Sequence, residues 1–129
     1  MTFLSQLINQ KNKVMKEIKA FIRKEKLNEV AKHLKENQFC CFTVFEGEGV
    51  GDYIDPETEF PSLNFPFLHH KVVKIEMVIE KEKVDKILDI LTKHAQTGKR
   101  GDGLIYVSNI DFSVRIKTGE HNNGSHVAQ

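Results

Sequence analysis

The chain has 129 residues, of which 40% are hydrophobic and 29% are charged, and its formal net charge is +1. This length fits one domain with its own core, and the composition is that of a folded globular protein rather than a disordered or fibrous one. A net charge so close to zero gives no bulk attraction to nucleic acid or to lipid, so we expect no nucleic-acid partner. No stretch approaches the roughly eighteen consecutive apolar residues that a membrane-spanning helix needs.

The two cysteines, Cys40 and Cys41, are adjacent in the sequence. Neighbouring side chains on an extended strand point to opposite faces, so this pair makes a poor disulfide and matches no metal-binding motif. We therefore expect two buried, reduced cysteines and a cytoplasmic protein.

Hydrophobic periodicity predicts the secondary structure in chain order. Residues 16–23 alternate as a half-buried strand does, and the apolar residues from Leu27 to Leu34 recur at helical spacing. Residues 39–46 are aromatic and β-branched, which favours a second strand. These three elements form a β-α-β unit.

The second half of the chain repeats that order. Residues 72–79 alternate as a strand, and helical spacing begins at Val84 and ends near Ala95. Residues 104–107 and 112–116 supply the last extended segments. The order predicts an α+β fold of the ferredoxin-like βαββαβ type, an antiparallel sheet with both helices on one face.

Two loops are larger or richer in glycine than such a fold requires. The stretch from 51 to 71 lacks periodicity, and loops longer than about 12–15 residues are usually functional or disordered. Apart from Lys71, it lies within the region from Glu36 to His70, which has no lysine or arginine and contains seven acidic residues, Glu36 included. The other loop, Gln96–Gly103, reads QTGKRGDG and joins the second helix to the next strand.

The glycine-rich loop can bind an anion, because successive backbone N–H groups in such a turn form a concave nest. Lys99 and Arg100 add positive charge there. Arg115 and Lys117 share a face if they lie on one strand, and two adjacent cations also favour an anion. A helix C-cap with a surface turn, and a solvated pair of cations, explain the same residues almost as well.

His69 and His70, at the end of the acidic loop, are weak candidates for a metal site together with loop carboxylates. Adjacent histidines usually diverge and their spacing matches no known site, so solvent-exposed loop histidines are the favoured interpretation. We find no serine elbow, HExxH motif or paired carboxylates, and expect no catalytic residues.

Two segments of the chain resemble the PII nitrogen-regulatory signalling proteins. They are Ala95–Val107, AQTGKRGDGLIYV, and Arg115–Glu120, RIKTGE. The resemblance extends almost without gaps from Met15 to Glu120, and the combination of TGKxGDG with RIxTGE is specific. It identifies residues 15–120 as a PII-like domain, residues 1–14 as an extension and residues 121–129 as a tail.

The resemblance implies a homotrimer in which ATP and ADP, or AMP, compete for clefts between subunits, with or without Mg²⁺. Residues 51–71 occupy the position of the T-loop, which in this family docks onto membrane transporters or enzymes, and residues 96–103 that of the B-loop. The positions that surround the nucleotide in the family correspond to Thr43, Gly49, Val50, Gly51, Glu76, Val78, Gly101, Asp102, Gly103, Arg115 and Lys117.

Several residues depart from the family's pattern. Leu104 stands where the family has a phosphate-binding lysine after GDG. Asp52 replaces the family's arginine after the glycine triplet, and Phe65 replaces its modified loop tyrosine. Tyr53 replaces a glutamine that in the family helps to hold Mg-ATP and 2-oxoglutarate. Each lost charge-assisted bond is worth about 1.5–3 kcal/mol. We therefore expect weaker binding of ATP than of ADP or AMP, no 2-oxoglutarate sensing of the family's usual kind and no uridylylation at Phe65.

The resemblance thus implies a non-enzymatic, cytoplasmic regulator whose T-loop changes its partner surface with nucleotide occupancy, and which reaches a membrane through a transporter partner. The alternative is a PII-like sensor whose T-loop binds the effector itself, with nucleotide binding weak or lost. That effector is a metal ion held through His69 and His70, or a small anion such as bicarbonate. A slow nucleotide hydrolase is a third interpretation, and the loss of cations near the terminal phosphate argues against it.

Overall fold

The computed structural model of the chain describes residues 14–51 and 69–122. The elements follow in the order β1 (Met15–Arg23), α1 (Leu27–Glu36), β2 (Thr43–Gly49), β3 (His70–Glu80), α2 (Val84–Ala95), β4 (Gly103–Ile110), β5 (Ser113–Val114) and β6 (His121–Asn122). A 3₁₀ turn of sequence KEK precedes each helix, so the two halves repeat one βα design. The βαββαβ order expected from the sequence is confirmed.

The main sheet has the strand order β2-β3-β1-β4, and each neighbouring pair is antiparallel. Ala20 of β1 lies opposite Ile75 of β3 on one side and Ile105 of β4 on the other. Because directly opposed residues share a face, this register gathers the apolar residues of three strands on one face. We call the other face, which carries Phe21, Phe45 and their neighbours in register, the open face.

The core lies between the sheet and the two helices. Val30 and Leu34 of α1 and Leu91 of α2 are fully buried, as their helical spacing predicts. The buried cluster comprises Ile18, Ala20, Ile22, Val30, Leu34, Phe39, Val73, Ile75, Met77, Ile87, Ile90, Leu91 and Ala95. Neither helix in the described residues is long and apolar enough to cross a membrane.

Strand β2 begins four residues later than the sequence predicts, because residues 37–39 are used to end α1. Gln38 adopts a left-handed conformation with φ of 67°, and the Phe39 N–H donates to the Leu34 carbonyl at 2.9 Å. This is the bond pattern of a Schellman cap, and it turns the Phe39 ring into the core, where it is 9% exposed. The prediction of a strand over 39–46 is therefore wrong in its first half.

The cysteines also differ from expectation, because they lie in the connection between α1 and β2 rather than on a strand. Cys40 and Cys41 are both exposed, and their sulfur atoms lie 2.8 Å apart. The prediction of buried thiols on opposite faces is therefore wrong. Hydrogen bonding to Cys40 raises the pKa of the Cys41 thiol, and partial burial adds to the effect.

The segment predicted as the last strand, 112–116, does not join the main sheet. β4 takes the place next to β1 and pairs with it as far as Ile110 opposite Met15. Ser113 and Val114 instead pair with His121 and Asn122 in a separate two-stranded sheet. Residues 1–13 and 123–129, which include most of the predicted extension and tail, lie outside the described residues.

Candidate functional site

A cleft of about 720 Å³ opens where β2 ends and β4 begins. It brings together six residues that the sequence singles out, from segments about fifty positions apart. These residues are Gly49, Val50, Gly51, Gly101, Asp102 and Gly103. Phe21 of β1 and Val72 of β3 lie in its wall between the two segments. The end of β2 and the glycine-rich loop thus form one concave site.

Asp102 organises the glycine-rich loop from within. One carboxylate oxygen accepts hydrogen bonds from the backbone N–H groups of Thr97, at 2.8 Å, and Gly98, at 3.0 Å. The other accepts from the Thr97 hydroxyl and from Arg23 Nε, the latter at 3.0 Å. A second nitrogen of the Arg23 guanidinium donates to the Arg100 carbonyl. The loop is therefore held from both ends by one carboxylate and one buried arginine.

The same contacts set the charge state of Asp102. Burial on its own raises the pKa of this carboxyl, but the hydrogen bonds from Thr97, Arg23 and Gly98 outweigh burial and lower the pKa to about 2. Asp102 is thus a carboxylate throughout the physiological range. Its negative charge lies next to the guanidinium of Arg23, whose side chain is only 3% exposed, so the two opposite charges compensate each other.

Gly103 is required at the entry of β4 by close approach of two backbones. Its φ is +113°, and a Cβ built there would lie 1.8 Å from the Phe21 carbonyl oxygen. No side chain fits at that distance. Gly98, also in the left-handed region with φ of +83°, has open space around its Cα, so only its conformation favours glycine.

The cleft is poor in positive charge. Lysine and arginine are absent from its wall within the described residues, whereas Glu48 and Asp102 both contribute to it. Leu104 stands in the wall with 57% of its surface exposed. Glu48 is neutralised by the Lys71 ammonium, whose hydrogen bond is the main cause of the lowered pKa of Glu48. Within the described residues, an anion in this cleft meets no lysine or arginine and needs cations from elsewhere.

Thr43, Glu76 and Val78 lie further along the open face rather than in the wall of the cleft. Thr43 is directly opposite Glu76 in the β2–β3 register. Glu76 forms ion pairs with Lys74 at 3.1 Å and with Lys19 at 3.9 Å. This row of charges runs across the sheet from β3 to β1.

Arg115 and Lys117 are not side by side on a strand, so that expectation is wrong. β5 ends at Val114, and residues 116–118 form the turn between β5 and β6. The Arg115 N–H donates to the Glu120 carbonyl at 3.0 Å, while the Gly119 N–H donates to the Arg115 carbonyl at 2.7 Å. Both cations are exposed at the tip of this small hairpin.

His69 and His70 are not the solvent-exposed loop histidines that the sequence suggests. His69 is only 2% exposed, and its Nε2 lies 3.4 Å from a Glu48 carboxylate oxygen. His70 begins β3, so the last two residues of 51–71 belong to a strand. Its ring occupies the space beside Gly49, where a Cβ would come within 2.6 Å. The loop acids proposed as co-ligands lie outside the described residues, so the metal hypothesis for this loop stays a prediction.

Sequence reasoning missed the role of Arg23. In the sequence, Arg23 is a basic residue at the end of an alternating strand, and the same pattern is typical of an exposed strand end. It also missed that Phe21 and Tyr106 pack edge to face, with ring centroids 5.8 Å apart, in the wall of the cleft. Their positions on the open face follow only from the register of β1 with β4.

Comparison with known proteins shows the family of the chain. The family model described as Nitrogen regulatory protein P-II matches residues 15–120. The relative named Nitrogen regulatory protein P-II 2, from Methanothermobacter thermautotrophicus, is 40% identical over 106 residues, covering 82% of this chain and 92% of its own. The relative named Nitrogen regulatory protein P-II from Bradyrhizobium diazoefficiens is 39% identical, and that from Synechocystis sp. is 36% identical, each covering 82% of this chain and 95% of its own.

Proposed function

We propose, from the premise that the chain belongs to the nitrogen regulatory protein P-II family, that it binds an adenine nucleotide in the cleft and signals occupancy through residues 51–71. As a member of this family the protein is a signal-transduction regulator. Its proposed action is binding without a catalytic step. The observation that carries the proposal is the junction of the end of β2 with the glycine-rich loop in one cleft.

The cleft suits the two ends of a nucleotide differently. Apolar and aromatic side chains, among them Phe21 and Val72, offer surface for a base and a sugar. Backbone N–H groups around Gly101 and Gly103 offer an anion nest for the first phosphates. Asp102 serves as the positioning residue that holds this loop, since its carboxylate is already engaged by four donors.

A third phosphate is harder to accommodate. Leu104 offers no charge to a terminal phosphate, and Glu48 and Asp102 are acidic. We assign the missing positive charge to Arg115 and Lys117 of an adjoining subunit, because both are exposed at a hairpin tip outside the cleft of their own chain. These two cations serve the phosphates that ADP and ATP share. Because Leu104 adds no charge for a third phosphate, ADP and AMP bind more tightly than ATP.

A homotrimer supplies that adjoining subunit. The open face of the sheet carries three large exposed apolar side chains, Phe45 (47%), Leu104 (57%) and Tyr106 (52%). In a lone chain these side chains stay in water, and large exposed apolar side chains gathered on one face are typical of interfaces between proteins. Packing of three copies through their open faces buries them and brings each hairpin close to a neighbouring chain.

Signalling follows from where the loop begins. Gly49, Val50 and Gly51 line the cleft and lead directly into residues 51–71. A ligand that contacts these three residues in only one arrangement of the loop shifts the loop population toward that arrangement. The loop is then read by a target transporter or enzyme, which is how we propose the protein regulates it.

Titration calorimetry of the assembled protein with ATP, ADP and AMP tests the proposal, each nucleotide with and without Mg²⁺, 2-oxoglutarate and bicarbonate. We expect one site per chain, with AMP and ADP favoured over ATP. The decisive variant is Arg115→Ala/Lys117→Ala, which removes the assigned cations and should weaken ADP binding at least tenfold, since each charge-assisted bond is worth about 1.5–3 kcal/mol.

The matched control is Lys35→Ala/Lys93→Ala, which removes two exposed cations from the helices and leaves the cleft intact. Its ADP affinity should equal that of the parent. Equal weakening in both variants would reduce the effect to net charge and reject the assignment of Arg115 and Lys117. Absence of any nucleotide binding, with heat released by bicarbonate or metal instead, would favour the alternative in which the loop binds the effector.

A further inference from the structure

A polar cluster joins the two helices on the side of the sheet away from the cleft. Glu29 and His33 lie one turn apart on α1, and His94 lies in the last turn of α2. His33 and His94 stack face to face, with ring centroids 3.5 Å apart and planes at 11°. His94 Nδ1 lies 2.9 Å from a Glu29 carboxylate oxygen.

The chemistry of these three side chains is that of a transition-metal site. Each offers one ligand atom, and the three atoms lie within 4.8 Å of one another. Two histidines and one carboxylate are a ligand set used by zinc, with water completing four-coordination. Ligand atoms on a tetrahedral zinc lie about 3.4 Å apart, given bonds of about 2.0–2.1 Å. Each imidazole binds an ion in its own ring plane, so the stacked rings must also rotate apart; that rotation and movements of about 1 Å bring the cluster to bonding geometry.

Burial favours an ordered site that solvent still reaches. The side chain of His94 is 16% exposed, that of His33 is 32% exposed and that of Glu29 is 46% exposed. The side chain that bridges the two helices is thus the most enclosed, and the carboxylate is the most accessible. The ion can enter from the Glu29 side.

Neighbouring charges are arranged to keep ligand atoms available. Glu36 lies 3.6 Å from His33 Nδ1, so it can orient that ring and leave Nε2 for the ion. Carboxylates behind metal-binding histidines serve this purpose in many metal sites. The Lys26 ammonium lies 3.9 Å from the other oxygen of Glu29. Its charge weakens the binding of a cation at this cluster, but it leaves the ligand oxygen of Glu29 unoccupied. The end of α2 adds the negative end of a helix dipole.

We propose that Glu29, His33 and His94 form a binding site for one divalent transition-metal ion of the zinc class, which ties α1 to α2. The site is separate from the nucleotide cleft and from the loop histidines His69 and His70. A bound ion takes the place of the hydrogen in the contact between His94 and Glu29. Because the ion binds the folded chain, it stabilises the packing of the two helices.

The test is a titration of the metal-free, full-length protein with Co²⁺, followed by visible absorption. Four-coordinate Co²⁺ absorbs far more strongly than the aqueous ion, so the spectrum reports the geometry as well as the amount bound. We expect one such equivalent per chain and its loss in His33→Ala/His94→Ala. Glu29→Gln, at an exposed position, should weaken Co²⁺ binding at least tenfold, as loss of a supporting metal-site group does. Zn²⁺ should raise the thermal unfolding midpoint of the parent more than that of either variant.

Matched controls separate this cluster from other donors in the chain. Cys40→Ser/Cys41→Ser removes the exposed thiols, and Glu82→Gln removes an exposed carboxylate from the turn before α2. Both should retain the Co²⁺ equivalent. Should His33→Ala/His94→Ala fail to fold, Glu29→Gln against Glu82→Gln decides the question. No bound equivalent in the parent, or equal affinity in Glu29→Gln and the parent, would overturn the proposal and leave a helix-packing cluster only.

Discussion

Removal of the Asp102 charge by Asp102→Asn should destabilise the protein by about 2–4 kcal/mol at pH 7. The carboxylate accepts four hydrogen bonds, two at each oxygen. An amide keeps one acceptor oxygen and turns its NH₂ group toward two donors, whichever way it is oriented. The substitution also removes a negative charge from beside the Arg23 guanidinium, which is 3% exposed and whose ion pair with Glu25 is longer, at 3.9 Å. Breaking a fully buried pair from one side costs about 3–5 kcal/mol, and the 25% exposure of the Asp102 side chain lowers that cost.

The pKa of Asp102 gives an independent magnitude for the same contacts. It falls from an ordinary value of 3.8 to about 2. At about 1.36 kcal/mol for each pH unit, that difference corresponds to about 2 kcal/mol of stabilisation. Because the folded pKa is the lower one, this contribution is complete above pH 3.8. It is lost as the pH falls from 3.8 to about 2, where the folded chain also takes up the proton.

Urea unfolding followed by circular dichroism measures this effect, since the chain has no tryptophan. The protein concentration is held constant, because assembly contributes to apparent stability. The difference between the parent and Asp102→Asn should shrink by about 2 kcal/mol between pH 5 and pH 2. The control Asp111→Asn, at an exposed position between β4 and β5, should stay within about 0.5 kcal/mol. A variant as stable as the parent at pH 7, or a difference independent of pH, would refute the role assigned to Asp102.

Three further results are expected. Gly103→Ala should lower the free energy of unfolding in urea by at least about 3 kcal/mol, since its Cβ would overlap the Phe21 carbonyl. The control Gly51→Ala, with no atom within 4 Å of the added Cβ, should leave stability unchanged, and equal urea midpoints for the two variants would contradict the close approach. Leu104→Lys should tighten ATP binding about tenfold in calorimetry and leave AMP binding unaltered, and an unchanged ATP affinity would remove Leu104 as a cause of weak ATP binding. Cys40 and Cys41, with sulfur atoms 2.8 Å apart, should bind a trivalent arsenical as one chelate by mass spectrometry, and two independent adducts would contradict their proximity.

Much of the fold could be predicted because local pattern and tertiary packing agree. Ile18, Ala20 and Ile22 alternate in the sequence and are all buried in the structure. The end of α2 at Ala95 was predicted from the loss of apolar spacing before a glycine. Where a segment is amphipathic with one clear period, the sequence specifies both the element and its buried face.

The errors arise where a neighbouring element takes the backbone for another purpose. Phe39 has the composition of a strand residue, but its amide caps α1 and its ring fills the core. Val114 likewise has strand propensity, but it pairs with His121 in a separate two-stranded sheet. Propensity indicates an extended backbone, whereas the choice of partner depends on long-range geometry that one segment does not encode.

In the candidate site, too, the local turns could be predicted from the sequence and the long-range contacts could not. The glycines of the QTGKRGDG segment predict a sharp turn. In the structure, the close approach of two backbones does require glycine at one of these positions, Gly103. The function of Asp102 as the organiser of that loop depends on Arg23, which lies 79 positions away in the sequence. A contact of that separation is set by the register between β1 and β4. For Arg115 and Lys117, strand spacing predicted adjacency, and the turn over 116–118 separates them.

The cleft between the end of β2 and the glycine-rich loop is the proposed nucleotide site, on which the proposed signalling depends. The most direct test is a crystal structure of the protein grown with ADP. We predict a trimer with the ADP phosphates against the backbone N–H groups of Gly101 and Gly103, and with Arg115 of an adjoining subunit within hydrogen-bond distance. ADP bound elsewhere on an assembled trimer, or a cleft that stays empty at saturating ADP, would contradict the account.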